Sequence, residues 1–147
     1  MPTIADLLQV KGTAVHTIHP GARVLDAARR MNERRVGSLV VVDDHLPDHI
    51  VGIVTERDIL TRVVAAERSP ATTSVADIMT DRVLTCTMCT DIDEARAVMR
   101  GKRIRHIPVV DAHGKLCGMV SIGDLNHAQA KVLEETVQYL EQYSIRM

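Results

Sequence analysis

The sequence predicts an α+β protein made of α/β-type repeats: two tandem units of β-α-β-β-α type, packed through their sheets with pseudo-two-fold symmetry, plus a C-terminal helix. The first support is an internal repeat. A shift of 68 residues lays Val15 on Val83, Thr17 on Thr85, Ala27 on Ala95, Met31 on Met99, Arg35 on Arg103 and Val41-Val42-Asp43 on Val109-Val110-Asp111. Allowing two extra residues in the first copy, Gly52-Ile53-Val54-Thr55-Glu56-Arg57-Asp58 falls on Gly118-Met119-Val120-Ser121-Ile122-Gly123-Asp124. The second support is that hydrophobic residues in each copy switch between the spacing of a strand and that of a helix. A repeat of this size buries too little surface alone, so the copies are expected to pack on one another, creating two equivalent clefts.

In chain order, Thr3 and Ser74 are hydroxyl residues suited to cap short lead-in helices, Ile4-Ala5-Asp6-Leu7-Leu8 and Val75-Ala76-Asp77-Ile78-Met79. β-branched residues then predict strands at Val15–Ile18 and Val83–Cys86. Val24, Ala27, Ala28 and Met31 recur at helical spacing, as do Ile92, Ala95 and Met99, with Thr90 and Asp93 approximating a capping box for the second helix. Paired strands follow at Ser38–Val42 with Ile50–Thr55, and at Ile107–Val110 with Leu116–Val120, joined by turn-forming Asp43-Asp44-His45 and Asp111-Ala112-His113-Gly114. Helices are expected to open at Asp58 and Asp124. The boundaries read as a first repeat over 3–66, a polar, proline-bearing linker over 67–73, a second repeat over 74–128 and a C-terminal helix over 129–143. In that helix Leu133, Val137 and Leu140 form one apolar stripe, widened by Val132, Tyr139 and Tyr143. The stripe suits either dimerisation or docking on the protein's own core.

Composition narrows the function. Hydrophobic residues make up 46% and charged residues 25% of 147, ordinary for a globular chain with an aliphatic core, since Trp and Phe are absent. With a net charge of −1, interspersed basic and acidic residues, and tyrosines only at 139 and 143, neither an electrostatic footprint nor a stacking platform for nucleic acid is present. No apolar run approaches the ~20 residues that span a bilayer, and no basic-then-apolar leader opens the chain, so a cytoplasmic protein without membrane contact is expected. Three cysteines, an odd number, suit a reducing compartment.

The chemistry concentrates where strands enter helices. Thr55-Glu56-Arg57-Asp58 and Ser121-Ile122-Gly123-Asp124 each place a hydroxyl three residues before a carboxylate. Free N–H groups at a helix start favour a phosphate, the hydroxyl can bind phosphate or sugar, and the Asp can grip ribose hydroxyls. The same residues read equally as ordinary caps. A second element is Arg103-Ile104-Arg105-His106-Ile107-Pro108-Val109-Val110-Asp111, whose Arg105 and His106 can clamp phosphates or form a solvated basic patch. The first copy has Val36-Gly37-Ser38-Leu39-Val40 there instead, leaving Arg57 or Arg34-Arg35 to compensate.

With the paired tetrads, Gly52 and Gly118 before hydrophobic strands, and Arg105-His106-Ile107-Pro108-Val109-Val110-Asp111, the chain from about Thr3 to Asn126 resembles a tandem pair of cystathionine β-synthase (CBS) domains, a Bateman module. It is most similar to stand-alone bacterial forms with a helical tail. The resemblance implies a regulatory module that binds an adenosine compound (AMP, ADP, ATP or NAD(H), with S-adenosylmethionine less favoured) in clefts between the repeats, and that forms a homodimer. It implies ribose at Asp58 and Asp124, ribose or phosphate at Thr55 and Ser121, and phosphate at Arg105 and His106, next to Ile107 and Pro108. Adenine would lie near Val15, His16 and Thr17, or near Leu84 and Thr85, with Val36 and Ile104 as walls and Gly37 beside them. Because Gly37-Ser38-Leu39-Val40 departs from the family's proline and basic residues, the two clefts are expected to differ.

Other constellations carry less. Cys86-Thr87-Met88-Cys89 is a C-x-x-C that reads as a redox pair or half a zinc site, with Cys117, His106 or His113 as further ligands, or as ordinary core and loop residues. His16 and His19 read as strand and loop residues. No nucleophile with its base and no complete metal site can be named, so no catalysis, metal or catalytic cofactor is expected. The rival functions are a ligand-free scaffold that recruits a partner protein through its terminal helix, and a thiol redox or metal sensor.

Overall fold

The computed structural model describes residues 2–145. The side chains of Val132 and Tyr143, the two flanks of the stripe in the terminal helix, lie outside the described residues. The elements are α1 (Ile4–Lys11), β1 (Thr17–Ile18), α2 (Val24–Arg34), β2 (Ser38–Val42), β3 (Ile50–Thr55), α3 (Glu56–Ile59) running into a π-helical turn (Leu60–Val64), α4 (Val75–Ile78), α5 (Ile92–Lys102), β4 (His106–Val110), β5 (Leu116–Ser121) and α6 (Ile122–Ile145). Two tandem repeats of mixed helix and strand with a C-terminal helix are thus what the sequence folds into.

The first repeat holds a three-stranded sheet, β1 parallel to β2 and β2 antiparallel to β3. In the second, β4 pairs antiparallel with β5, and the expected strand at 83–86 shrinks to a single parallel bridge from Cys86 to Val109. The equivalence is otherwise close: the irregularity between Val41 and Val42 recurs between Val109 and Val110. α2 buries Val24, Ala27 and Met31, and α5 buries Ile92, Ala95 and Met99, the stripes their spacing predicts. Both helices end at an arginine in the left-handed region, Arg35 at φ 55° and Arg103 at φ 54°.

The lead-in helices are exchanged between the repeats. α1 precedes the first copy, yet Ile4, Leu7 and Leu8 fill the core of the second, with Met99, Ile107, Val109 and Leu125. Val75 and Ile78 of α4 fill the first core, with Val24, Leu39, Val41 and Val54. Equivalent backbone bonds fix both: Ile4 N–H to Thr90 O and Val75 N–H to Ala22 O, then Ala5 N–H to Met88 O and Ala76 N–H to Pro20 O. The exchange explains the glycine in each third strand. A Cβ on Gly118 would sit 2.8 Å from Leu8 Cδ1, and one on Gly52 would sit 2.5 Å from Met79 Sδ and 3.1 Å from the Thr80 carbonyl.

Three local expectations change. The helix after β3 opens at Glu56 and that after β5 at Ile122, which makes Asp58 and Asp124 third residues of their helices. Asp91 is the N-cap of α5, while the Thr90 hydroxyl accepts the Thr87 N–H at 3.0 Å and holds the preceding turn. The 67–73 segment is tied down by Leu25 N–H to Pro70 O and Val24 N–H to Thr73 O. Every residue of β2 is buried, although only Leu39 and Val41 belong to the first core. Its reverse face must therefore be covered as well, and contacts from the second repeat lie on that side: a Cβ on Gly37 would stand 3.4 Å from the His106 ring, and Leu116 N–H bonds Asp48 O.

Candidate functional site

A cavity of about 320 Å³ lies between the repeats, lined among others by Lys11, Val15, His16, Val36, Gly37, His106, Ser121 and Asp124. Its parts arrive from five places: the end of α1, the approach to β1, the α2–β2 loop, the start of β4, and the β5–α6 junction. Seven residues singled out from sequence therefore share one space. Sequence reasoning missed Lys11, Met119 and Ser38, which also line it, and Arg35, named only as a substitute, is there too. Lys11 carried no signal, because nothing in a lone basic residue after Leu7-Leu8 says that α1 crosses to the other repeat.

Asp124 is built into a reciprocal cap. Its Oδ2 accepts the Ser121 N–H at 2.8 Å, and its own N–H donates to Ser121 Oγ at 3.1 Å. Capping and ligand binding are thus compatible, since no donor among the described residues claims Asp124 Oδ1. The Lys11 ammonium donates both to Asp124 Oδ2 and to the Met119 carbonyl, each at 2.6 Å. Burial pushes the Asp124 carboxyl up, but the Lys11 hydrogen bond and the Ser121 N–H outweigh it and hold the group below its ordinary value. Burial also holds His106 below the ordinary imidazole value, opposed in part by Glu56, so the ring is neutral at neutral pH. The cavity thus offers a half-exposed carboxylate with one free oxygen, a neutral imidazole and a lysine at its rim. Such a set suits a diol beside an anion.

The pseudo-equivalent place is closed. Asp58 is 8% exposed, and its Oδ2 accepts both the Thr55 N–H (3.0 Å) and the Thr55 hydroxyl (3.1 Å). Its Oδ1 accepts from the Thr80 hydroxyl at 3.2 Å and lies 4.0 Å from Arg62 Nε. The chain itself therefore satisfies both oxygens. Leu84 and Thr85 are exposed, and Thr17 lies in β1 paired with Val40. Ile107 and Pro108 are buried in β4, while Arg57, Ile104 and Arg105 line a different groove at the surface of α5.

The thiols differ from a reactive pair. Burial, with Cys117 nearby, raises the Cys86 thiol to about 11, and Cys89 is exposed. A thiol with so little thiolate is a poor nucleophile and a poor metal ligand. Among the described residues no cluster of three His, Cys, Asp or Glu side chains could hold a metal, and no helix is long and apolar enough to cross a membrane.

Comparison with known proteins agrees with this architecture. The CBS domain family model matches twice, over residues 6–65 and 75–131. A mitochondrial CBS domain-containing protein of Arabidopsis thaliana is 37% identical over 147 residues, covering 96% of this chain and 71% of its own. Among solved structures, a proposed signal-transduction protein with CBS domains from Burkholderia ambifaria is 41% identical with a TM-score of 0.81, covering 86% of this chain and 93% of its own. A CBS domain protein of Pyrobaculum aerophilum complexed with AMP is 29% identical with a TM-score of 0.80, covering 92% and 99%. The matched family is that of a regulatory domain pair, not of a catalytic domain. Two family matches, the repeated strand-to-helix tetrads and the inter-repeat cavity converge: this chain belongs to the CBS-domain family, as a tandem pair.

Proposed function

We propose that the protein is a regulatory module that binds one adenosine ligand of the AMP, ADP, ATP or NAD(H) class in the cleft at Asp124. The observation that carries this is the convergence of Val15, His16, Val36, Gly37, His106, Ser121 and Asp124 on one cavity. Asp124 Oδ1 and Oδ2 take the ribose hydroxyls, His106 and Arg35 meet phosphate, and adenine lies against Val15, His16 and Val36. The AMP complex of the Pyrobaculum protein supports the ligand class. Occupancy is unequal between the clefts, because Asp58 is consumed by Thr55 and Thr80 while Asp124 keeps an oxygen free. A ligand can shift the conformation only by its differential affinity for two states, and the groups available for that here are Lys11 and α6.

Mass spectrometry of small molecules released on denaturation, followed by calorimetry with AMP, ADP, ATP, NAD(H) and S-adenosylmethionine, tests the reading. Asp124→Ala is expected to abolish binding and Asp58→Ala to leave most of it. Undiminished affinity in Asp124→Ala refutes the assignment. One observation favours a second role. Leu133, Val137 and Leu140 are 59%, 53% and 56% exposed, an apolar stripe that a homodimer or a regulated partner protein would cover. The compartment in which this happens is proposed to be the cytoplasm.

A further inference from the structure

A second groove, of about 460 Å³, runs along α5 and shares no lining residue with the Asp124 cleft. Five arginines surround it: Arg57 from α3, Arg96 and Arg100 one helical turn apart on α5, and Arg103 and Arg105 from the segment leading to β4. We propose that this groove binds a chain of linked phosphates, as a site separate from the adenosine cleft.

The first argument is unmet charge. Arg96 is paired, Nη1 with Asp93 at 3.0 Å and Nη2 with the Leu125 carbonyl at 2.9 Å, yet its Nε is buried without an acceptor. Arg57, Arg100, Arg103 and Arg105 have no carboxylate partner among the described residues. Like charges one helical turn apart oppose helix formation, and a guanidinium kept for structure is normally paired. The second argument is an internal control supplied by the repeat. The equivalent groove of the first copy, about 600 Å³, has Ala28 where this one has Arg96, Asn32 for Arg100 and Gly37 for Arg105; only Arg35 and Arg103 correspond. The same backbone folds without these arginines, so the fold does not require them.

The third argument is size and chemistry. The volume falls in the range of about 300–1,000 Å³ typical of small-molecule sites. Planar forks of N–H donors match phosphate oxygens in pairs, and five of them exceed what a single phosphate can engage. A linear chain of phosphates distributes its charge along the groove and gives Arg96 Nε an acceptor. Either a free oligophosphate or the phosphate tail of a nucleotide presents this chemistry.

The test is calorimetry with inorganic tripolyphosphate at fixed ionic strength, compared with orthophosphate. Wild type is expected to bind one tripolyphosphate per chain, at least tenfold more tightly than orthophosphate. The double variant Arg100→Gln with Arg103→Gln, at two exposed positions, is expected to weaken this at least tenfold with little change in unfolding midpoint. Asp124→Ala is expected to leave it unchanged, so that failure of the adenosine reading and failure of this one are read separately. In that Asp124→Ala background, equal affinity for ATP and tripolyphosphate assigns the groove to free oligophosphate; tighter ATP assigns it to a nucleotide's tail. Absence of tripolyphosphate binding, or an undiminished double variant, overturns the proposal. So does a double variant that changes only the oligomeric state, since the groove would then be a protein interface.

Discussion

Replacing Lys11 by Met keeps the aliphatic stem and removes the ammonium that holds Asp124 Oδ2 and the Met119 carbonyl at 2.6 Å. The two side chains of this pair are 33% and 25% exposed, between the surface and buried limits. Hydrogen bonds to charged groups contribute about 1.5–3 kcal/mol when shielded. Solvent screening at this exposure reduces that toward about 1 kcal/mol. Unliganded Lys11→Met should therefore melt about 2–4 °C lower, the shift expected per kcal/mol for a chain of this size. Ribose must take the same carboxylate oxygen, so in wild type the ligand breaks the Lys11 contact before it binds. With that contact gone, affinity for AMP should rise about fivefold, the factor equivalent to about 1 kcal/mol. Thermal unfolding without ligand and calorimetry with AMP measure the two effects. Opposite signs, lower stability with tighter binding, are the signature of competition. If Lys11→Met binds AMP more weakly or with unchanged affinity, Lys11 does not compete with the ribose and the argument fails.

The other predictions test packing, protonation and assembly. Gly52→Ala and Gly118→Ala force a methyl into the exchanged lead-in helices, at a cost of about 1–3 kcal/mol each. Gly52→Ala should be the worse, because its neighbours include the Thr80 backbone as well as Met79, and urea unfolding ranks the two. His106 titrates below the ordinary value of 6.5, chiefly because of burial, so the unfolded chain binds its proton first. Stability from this group is complete above pH 6.5 and is lost as pH falls from there through the folded value, so His106→Gln should flatten that part of the melting curve against pH. A phosphate beside His106 favours the imidazolium, so AMP binding should take up a proton and tighten on mild acidification, seen as a buffer-dependent calorimetric enthalpy. Val137→Asp with Leu140→Asp should convert a dimer to monomer in light scattering while the melting temperature of the repeats changes little.

The repeat made most of the architecture readable, because residues at equal offsets meet equal environments: the buried faces of α2 and α5 follow from Val24, Ala27 and Met31 and from Ile92, Ala95 and Met99. The exchange of lead-in helices was not readable. A shift of 68 residues aligns α1 with α4 whether each packs on its own copy or on the other, and spacing has no term for that choice. Gly52 and Gly118 marked a close approach without naming Met79 and Leu8 as what approaches. At the site, the tetrads predicted a hydroxyl and a carboxylate at each helix start, and both are there; what differs is who satisfies the carboxylate. That depends on partners distant in sequence, Thr80 and Arg62 for Asp58 and Lys11 for Asp124.

These partners also indicate how one repeat pair can hold a closed site and an open one. α4 ends at Ile78, and the chain turns at once to pair Thr80 with Ile53, which carries the Thr80 hydroxyl to Asp58. α1 runs on to Lys11 and Gly12, at φ 98°, so the equivalent position beside Met119 receives a long, movable side chain in place of backbone. A backbone bridge cannot yield to a ligand without unpairing a strand, whereas a lysine can swing away and remain solvated. Asp124 therefore stands where a ligand can displace the protein's own donor, and it lies in the first turn of α6, the 24-residue helix whose far half carries Leu133, Val137 and Leu140. A ligand that displaces Lys11 acts on the ends of two helices together: α1, anchored in the second core, and α6, which carries the exposed stripe. By thermodynamic linkage, any effect of the ligand on assembly through that stripe must be returned as an equal effect of assembly on ligand affinity.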